Sequence, residues 1–563
     1  MPSANADSFC LIRSSGPPAD SIEVIASACI MSVLFTNISE NNPVKPGDAQ
    51  ALIEPLGLTI NPSEAGDFHT LLAAVHDCAE GVASLPDYQP IPDQTKYPRG
   101  NVRRPTKEEQ VLGQAWAHRF LIRGNPEGGK LAGKSVSLKD VIAVAGVPQL
   151  LGSDIIPSWT PTTDATVVTR LLEAGADICG TSTCENLCHS TSSYTSAQGI
   201  VENPHATGYS AGGSTSGGAA LVAAGLVDIT IGGDQGGSIR VPASLCGCVG
   251  LKPTHGRVPF TGITSGDAMN DHAGPLARST LEVATCLDVI SGYDGIDDKS
   301  LGSAQPGTTT FADVLKNSPQ RLDGLKVGIL KEGFEHDAVS SSVRHSVLTA
   351  AKKFEDLGAS VEEVSLPDHL HGPAVWTIQQ RIAGAQTLLG QNTGRRGLYM
   401  TEAEQARLPW TDEGFQRAFP STKNVIINGL YLMSRFPGLY GKTANIGRQI
   451  CDKYQALFEK YDVLVMPTTP VVAPKHGKWG LPMESLKPSM GLTVNTAIFN
   501  VTGHPALSIP IGFAPAKEDC QVLLPVGMQI VGGLWQEEKI LRVGHAWESS
   551  HDWKKTQFGM DKN

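Results

Sequence analysis

The chain has 563 residues, ample for a large buried core and for more than one domain. Its 45 basic residues stand against 56 acidic ones, a net charge of −11, which argues against sequence-independent nucleic-acid binding, where Lys and Arg must displace phosphate counterions. With 60 Gly, 37 Pro and 18% charged residues, the composition is that of a globular enzyme and not of a disordered chain.

Residues 1–45 are rich in Ser, Pro and Asn and read as a loosely attached leader. Within them the apolar run IEVIASACIMSVLF (22–35) is too short to span a bilayer. It contains Glu23 and has only Arg13 ahead of it, which is unlike a secretory signal. Residues 47–84 carry helical spacing, with Leu71, Leu72, Val75 and Cys78 on one face, and a proline-rich linker follows at 87–105. This predicts a small helical module with its linker over 46–105 and a large domain over 106–555.

From about residue 120, strand-like and helix-like runs alternate. SVSLKDVIAVAG (135–146) is strand-like; DATVVTRLLEAGADICG (164–180) is a helix with Asp164 as N-cap and Gly175 as its stop, then a buried strand. GGAALVAAGLV (217–227) predicts a helix of small residues and DITIGG (228–233) a short strand. Charged helical patterns such as SSVRHSVLTAAKKFEDLGA (341–359) fill 320–460, and strands return at 462–474 and 524–532. The pattern predicts an α/β fold, one large sheet with a long, variable insertion at about 320–460.

Eleven cysteines are too sparse for a disulfide scaffold and suit a reduced, cytoplasmic protein. Cys184, Cys188-His189, Cys246 and Cys248 lack C-x2-C spacing and a completing pair, so they read as ordinary buried thiols and no metal site is expected. Asn500-Val501-Thr502 matches a glycosylation sequon, but its apolar setting predicts burial.

GGKLAGKSVSLKD (128–140) is a formal phosphate-loop match, through Gly128, Gly133, Lys134 and Ser135. Such a loop needs a strand before it and a helix start after it, so that the helix N-terminus faces the phosphates. Here Pro126 breaks the preceding segment and VSLKDVIAV follows, so nucleotide binding is the weaker, out-of-class reading and Lys134 is read as solvated. The nucleophile-elbow pattern G-x-S-x-G also fails at Ser238, where Arg240 replaces the last Gly.

Two glycine–serine clusters remain, SAGGSTSGGAAL (210–221) and GGDQGGSIRVPAS (232–244). Taken singly they are turns. Together they suggest a nest of backbone N–H groups at Gly236-Gly237 beside the Ser238 hydroxyl, which is what an oxyanion hole requires. A serine also needs a base. His189, His205, His255 and His272 each have an equally good structural role, and a buried lysine can serve instead.

At GGSTSGG…GGDQGGSIRVPASLCGCVGLKPTHGRVP the chain resembles the amidase signature hydrolases. SVSLKD is similar to that family's lysine segment, and VENPHATGYSAGG, DVLVMPTTPVVAP and NVTGHPALSIP…LPVGMQIVG fit as well. The resemblance runs from about 120 to about 550 and implies a large central mixed β-sheet flanked by helices on both faces. It implies Ser238 as nucleophile, Ser214 bridging it to Lys139 across a cis peptide, and an oxyanion site from the backbone of Gln235, Gly236, Gly237 and Ser238. Leu187 falls near a substrate-contact position, and Asp234 and Arg240 read as loop-bracing groups. The variant Gly233-Asp234-Gln235-Gly236-Gly237-Ser238, with THGRVPFTG and DHAGP, is most similar to broad-specificity, nitrile-pathway-type amidases; carbamate-cleaving members are the alternative. The implied partner is a small-molecule amide or carbamate, with no cofactor, no metal, no nucleic acid and no membrane. The helical module, with its apolar faces, points to a homodimer.

Overall fold

The computed structural model describes residues 38–156 and 159–558, so the apolar run 22–35 lies outside the described residues. The chain divides into two compact units between Gln89 and Pro90. In the first, helices Asp48–Ile53 and Ala65–Ala83 pack together. The buried Asp77 carboxylate pins the entering chain by accepting from Ser39 N at 2.7 Å and Asn42 Nδ2 at 2.7 Å.

In the second unit the strands run, in chain order, β1 (Gly100–Arg103), β2 (Trp116–Ile122), β3 (Ser135–Lys139), β4 (Asp177–Ser182), β5 (Glu202–Asn203), β6 (Ala206–Ser210), β7 (Ile229–Asp234), β8 (Val249–Lys252), β9 (His272–Ala277), β10 (Lys326–Leu330), β11 (Ser360–Val364), β12 (Val463–Pro467), β13 (Ala506–Pro515) and β14 (Leu523–Gly532). Twelve of them form one sheet in the order β1-β2-β4-β3-β7-β9-β8-β13-β14-β12-β10-β11, while β5 and β6 make a separate hairpin. The sheet is mixed: β4-β3-β7 and β12-β10-β11 are parallel runs, and the other neighbours pair antiparallel. Helices pack against it throughout, giving the α/β architecture expected.

Parallel strands sit under cover on both faces and carry continuous apolar runs. β7 (ITIGGD) and β12 (VLVMP) follow that rule, every residue buried. β3 and β4 run parallel to β7, so their last residues, Lys139, Ser182 and Asp234, come out on one edge of the sheet. In parallel sheets the loops that leave this edge gather the functional groups.

Local departures from expectation have simple causes. The strand-like run 135–146 stops at Lys139, because Val141 N and Ile142 N turn back to the Lys139 carbonyl at 2.7 and 2.9 Å. Asp164 does not cap its helix, which begins at Thr166 after Ala165; its carboxylate is occupied by Ala145 N at 2.8 Å and by Arg99. Gly175 does stop that helix, at φ +86°. The segment 320–460 is not helical throughout: it supplies β10 and β11, and the exposed edge strand β11 (SVEEV) is too polar to read as a strand from periodicity. Lys134 is not simply solvated, since it reaches Glu282 Oε1 at 2.8 Å on the surface. The residue after it opens the buried strand β3, with no helix start there.

Candidate active site

Lys139 closes β3 with no solvent exposure and donates from Nζ to Ser214 Oγ at 2.7 Å and to the Gly233 carbonyl at 3.3 Å. Ser214 follows a cis Gly213–Ser214 peptide bond and precedes the helix Ser216–Ala223. That helix lies close against the sheet only because its first turn is glycine. A Cβ on Gly217 would stand 2.2 Å from the Ala115 carbonyl oxygen, and one on Gly218 would stand 2.3 Å from Thr230 Cγ2.

After the helix, β7 brings the chain back beside β3, and the loop Gln235–Ser238 leaves its end. Thr215 N donates to the Ser238 carbonyl at 3.3 Å, so the two serine-bearing turns are adjacent in space. Ser238 is nearly buried and lines a cavity of about 350 Å³. The loop is held from outside: Trp376 Nε1 donates to the Gln235 carbonyl at 2.6 Å and Thr496 Oγ1 to the Gly236 carbonyl at 2.6 Å. Gly237 sits at φ +139°, and its N–H donates to Asp234 Oδ1 at 2.8 Å. Among the described residues, no hydrogen bond occupies the N–H groups of Gln235, Gly236 or Ser238.

Asp234 and Arg240 are fully buried and face one another, with Nη2–Oδ1 at 2.9 Å and Nε–Oδ2 at 3.1 Å. Arg240 Nη1 and Nη2 also reach the Thr496 carbonyl, Gln529 Oε1 and Asn500 Oδ1 at 2.9, 2.8 and 2.7 Å. Burial alone would raise the Asp234 carboxyl; Arg240 and the backbone and amide donors override it and hold the group well below the usual carboxylate range. Asn500 Nδ2 donates to the Asp234 carbonyl and to Oδ1, both at 2.8 Å, so the sequon asparagine is a buried strut of this network.

Leu187 lines the same cavity, at the unusual φ of +45°. Next to it, Cys188 also faces the cavity, whereas Cys184, Cys246 and Cys248 are buried as expected. Its neighbour Cys184, and then the nearby Lys139, draw the Cys188 thiol below its ordinary value against the opposing effect of burial. Reading all four cysteines as inert missed this one, and C-E-N-L-C has no metal spacing to flag it. Glu185 is a second residue not foreseen. Fully buried, it accepts from Thr195 N at 2.9 Å, Thr195 Oγ1 at 2.6 Å and Ser216 Oγ at 2.8 Å, and burial lifts it to about 7 against those donors.

The histidines occupy structural positions, apart from one. His205 bonds the Cys246 carbonyl at 2.9 Å and His272 the Asn270 carbonyl at 2.8 Å, with His255 packed edge-on against His272. His189 lines the cavity, where its Nδ1 accepts from Gln380 Nε2 at 3.1 Å. Among the described residues no group of three His, Cys, Asp or Glu is placed to hold a metal ion. None of their helices is long and apolar enough to cross a membrane.

A buried lysine joined to a serine thus lies beside a second serine on a glycine loop over a cavity. Residues 108–541 match the model of the amidase family, and the chain belongs to the amidase signature family. It is 38% identical to an enantioselective amidase of Rhodococcus rhodochrous over 78% of this chain and 83% of the relative. It is also 33% identical to a subunit of the glutamyl-tRNA(Gln) amidotransferase of Halothermothrix orenii, over 76% of this chain and 86% of that one. In structure it is similar to the peptide amidase of Stenotrophomonas maltophilia, with a TM-score of 0.58, 26% identity and coverage of 75% of this chain and 83% of that one.

Proposed function

We propose that the enzyme hydrolyses a small or aryl carboxamide to the acid and ammonia or an amine, through an acyl-enzyme on Ser238. The observation that carries this reading is the 2.7 Å contact of Lys139 Nζ with Ser214 Oγ, buried beside the turn of Ser238. Ser238 Oγ attacks the amide carbonyl; its proton passes through Ser214 to Lys139. Lys139 returns the proton by the same path to the leaving nitrogen, and the C–N bond breaks. Water then attacks the ester and releases the acid. The N–H groups of Gln235, Gly236 and Ser238 are the free donors for the oxyanion, and Gly237 shapes the loop, its own N–H being committed to Asp234.

The same geometry serves a carbamate, which presents a like carbonyl. Amide is preferred because the relative with 38% identity is an enantioselective amidase. Dimerisation through the helical unit is supported by Phe68, Leu71, Val75 and Val82, exposed along one face of Ala65–Ala83. A cytoplasmic setting is supported by the free thiols of Cys179, Cys184, Cys188, Cys246, Cys248, Cys286, Cys451 and Cys520.

Intact mass after exposure to a fluorophosphonate tests the reaction class. One adduct on Ser238 is expected, with turnover of benzamide lost in step. No adduct on the folded protein, or equal labelling of Ser238→Ala, sinks the reading. Acetamide, benzamide, an anilide and ethyl carbamate then sort the substrate class.

A further inference from the structure

The cavity wall is mostly apolar or neutral, with Leu187, Trp376, Leu486, Met490 and Val494 prominent in it. Arg381 breaks that pattern. It lies on the helix Gly372–Leu388, lines the cavity, and donates from Nη1 to Gln380 Oε1. Its Nε is buried without a partner. Three other buried arginines are matched by acids: Arg240 by Asp234 at 2.9 Å, Arg257 by Glu537 at 2.7 Å, and Arg99 by Asp164; Arg407, outside the wall of the Ser238 cavity, instead donates to the Thr387 carbonyl at 2.7 Å. Among the described residues Arg381 forms no ion pair.

An unmatched guanidinium in a closed wall is costly, because it gives up water without gaining a counter-charge. The fold nevertheless holds it in place. Helix Gly372–Leu388 crosses helix Pro420–Arg435 at Gly429, where a Cβ would stand 2.2 Å from Ala385 Cβ and 2.4 Å from the Arg381 carbonyl oxygen. Gln380 bridges onward from Arg381 to His189. Burial and then the nearby Arg381 and Arg407 push His189 down to about 3, so the imidazole is neutral and offers Arg381 no compensation. Asp267 also lines the cavity, but burial and its neighbour Asp271 lift its carboxyl to about 7, against donation from Asn270 and Met269 N.

We propose that Arg381 is a specificity-determining residue that takes a carboxylate carried by the substrate, so that the preferred amides bear an acid group as well as the scissile carboxamide. The missing counter-charge arrives with the substrate, and the planar fork of the guanidinium suits a carboxylate. This inference rests on the amide-hydrolase reading above and deepens it.

The test compares kcat/KM for benzamide with that for its 3- and 4-carboxylate derivatives. The wild-type enzyme is expected to favour one carboxylate isomer by at least about tenfold, most of it in KM. Arg381→Gln is expected to lower the carboxylate-to-benzamide ratio by at least about thirtyfold, and Arg381→Lys to restore part of it. A wild-type ratio at or below one for both isomers overturns the proposal, and so does an Arg381→Gln variant that loses both substrates equally. The wild-type ratio decides alone should the variant not fold. Hydrolysis of benzamide with labelling of Ser238 keeps the two readings separable: those results with no carboxylate preference sink only the Arg381 role, whereas an unlabelled wild type sinks the reaction class.

Discussion

Lys139 and Ser214 lie 75 residues apart in sequence and meet at 2.7 Å, the lysine at the end of a central parallel strand and the serine at the mouth of a glycine-led helix. The backbone of Lys139 pairs with Ser182 of β4, and its amine is held between Ser214 Oγ and the Gly233 carbonyl of β7. Geometry here is a property of the sheet.

Lys139→Ala and Ser214→Ala are each expected to lower kcat by at least about a hundredfold, the usual scale for a lost proton-transfer group. The double variant should be little worse than the poorer single one, since both serve one relay. Lys134→Ala is the control: that side chain makes only a surface ion pair with Glu282 and should leave kcat within about twofold. Steady-state kinetics on one amide separates the two lysines, and loss at Lys134 with retention at Lys139 would overturn the assignment.

Arg240→Met would strand the buried Asp234 carboxylate and is expected to cost about 3–5 kcal/mol of stability. Asp234→Asn combined with Arg240→Met should recover part of that loss, because no unpaired charge remains. Denaturant unfolding of Arg240→Met, of Asp234→Asn and of the double variant checks this; an additive double variant would contradict the bracing role.

Gly237→Ala places a Cβ 2.4 Å from Thr496 Oγ1 at a φ of +139° that alanine rarely adopts. Labelling of Ser238 by a fluorophosphonate should slow by at least about tenfold, as the loop and its N–H groups lose their alignment. Labelling at the wild-type rate would show that this loop geometry is not needed.

Asp267 gives a pH signature in stability. Its carboxyl is raised in the folded protein from 3.8 to about 7, first by burial and then by Asp271. The native state therefore holds a proton that the unfolded chain has released, so this group's contribution to stability is fully present below about 4 and is lost as pH rises towards about 7, by up to about 1.4 kcal/mol per unit. Asp267→Asn should flatten that part of the profile. Thermal unfolding measured from pH 4 to 8 reads it, and an unchanged slope would refute the assignment.

The strands nearest the site were legible because β3 alternates Val136 and Leu138 with serines before Lys139, and because β4 and β7 carry short apolar starts, each broken by a glycine, after a helix-stop or turn. Lys139, Ser214 and Ser238 were legible only through a long resemblance, since each lies among residues that also make ordinary turns. What stayed hidden came from far along the chain. Trp376, Thr496 and Arg381 reach the site through tertiary packing that no local pattern encodes, and Cys188 sits among thiols with no distinguishing spacing. The strand β11 escaped notice because an exposed edge strand carries charge where a core strand carries valine.

The strut made by Asn500 has a consequence for biosynthesis. Oligosaccharide is attached to Asn-x-Ser/Thr on the nascent chain, before the core closes. A sugar on Nδ2 would replace a hydrogen needed by the two bonds that amide donates to Asp234, in a space with no opening to water. Any export route that passes through a glycosylating lumen would thus compete directly with maturation, and expression in a secretory host should yield folded protein only when Asn500 escapes the transferase.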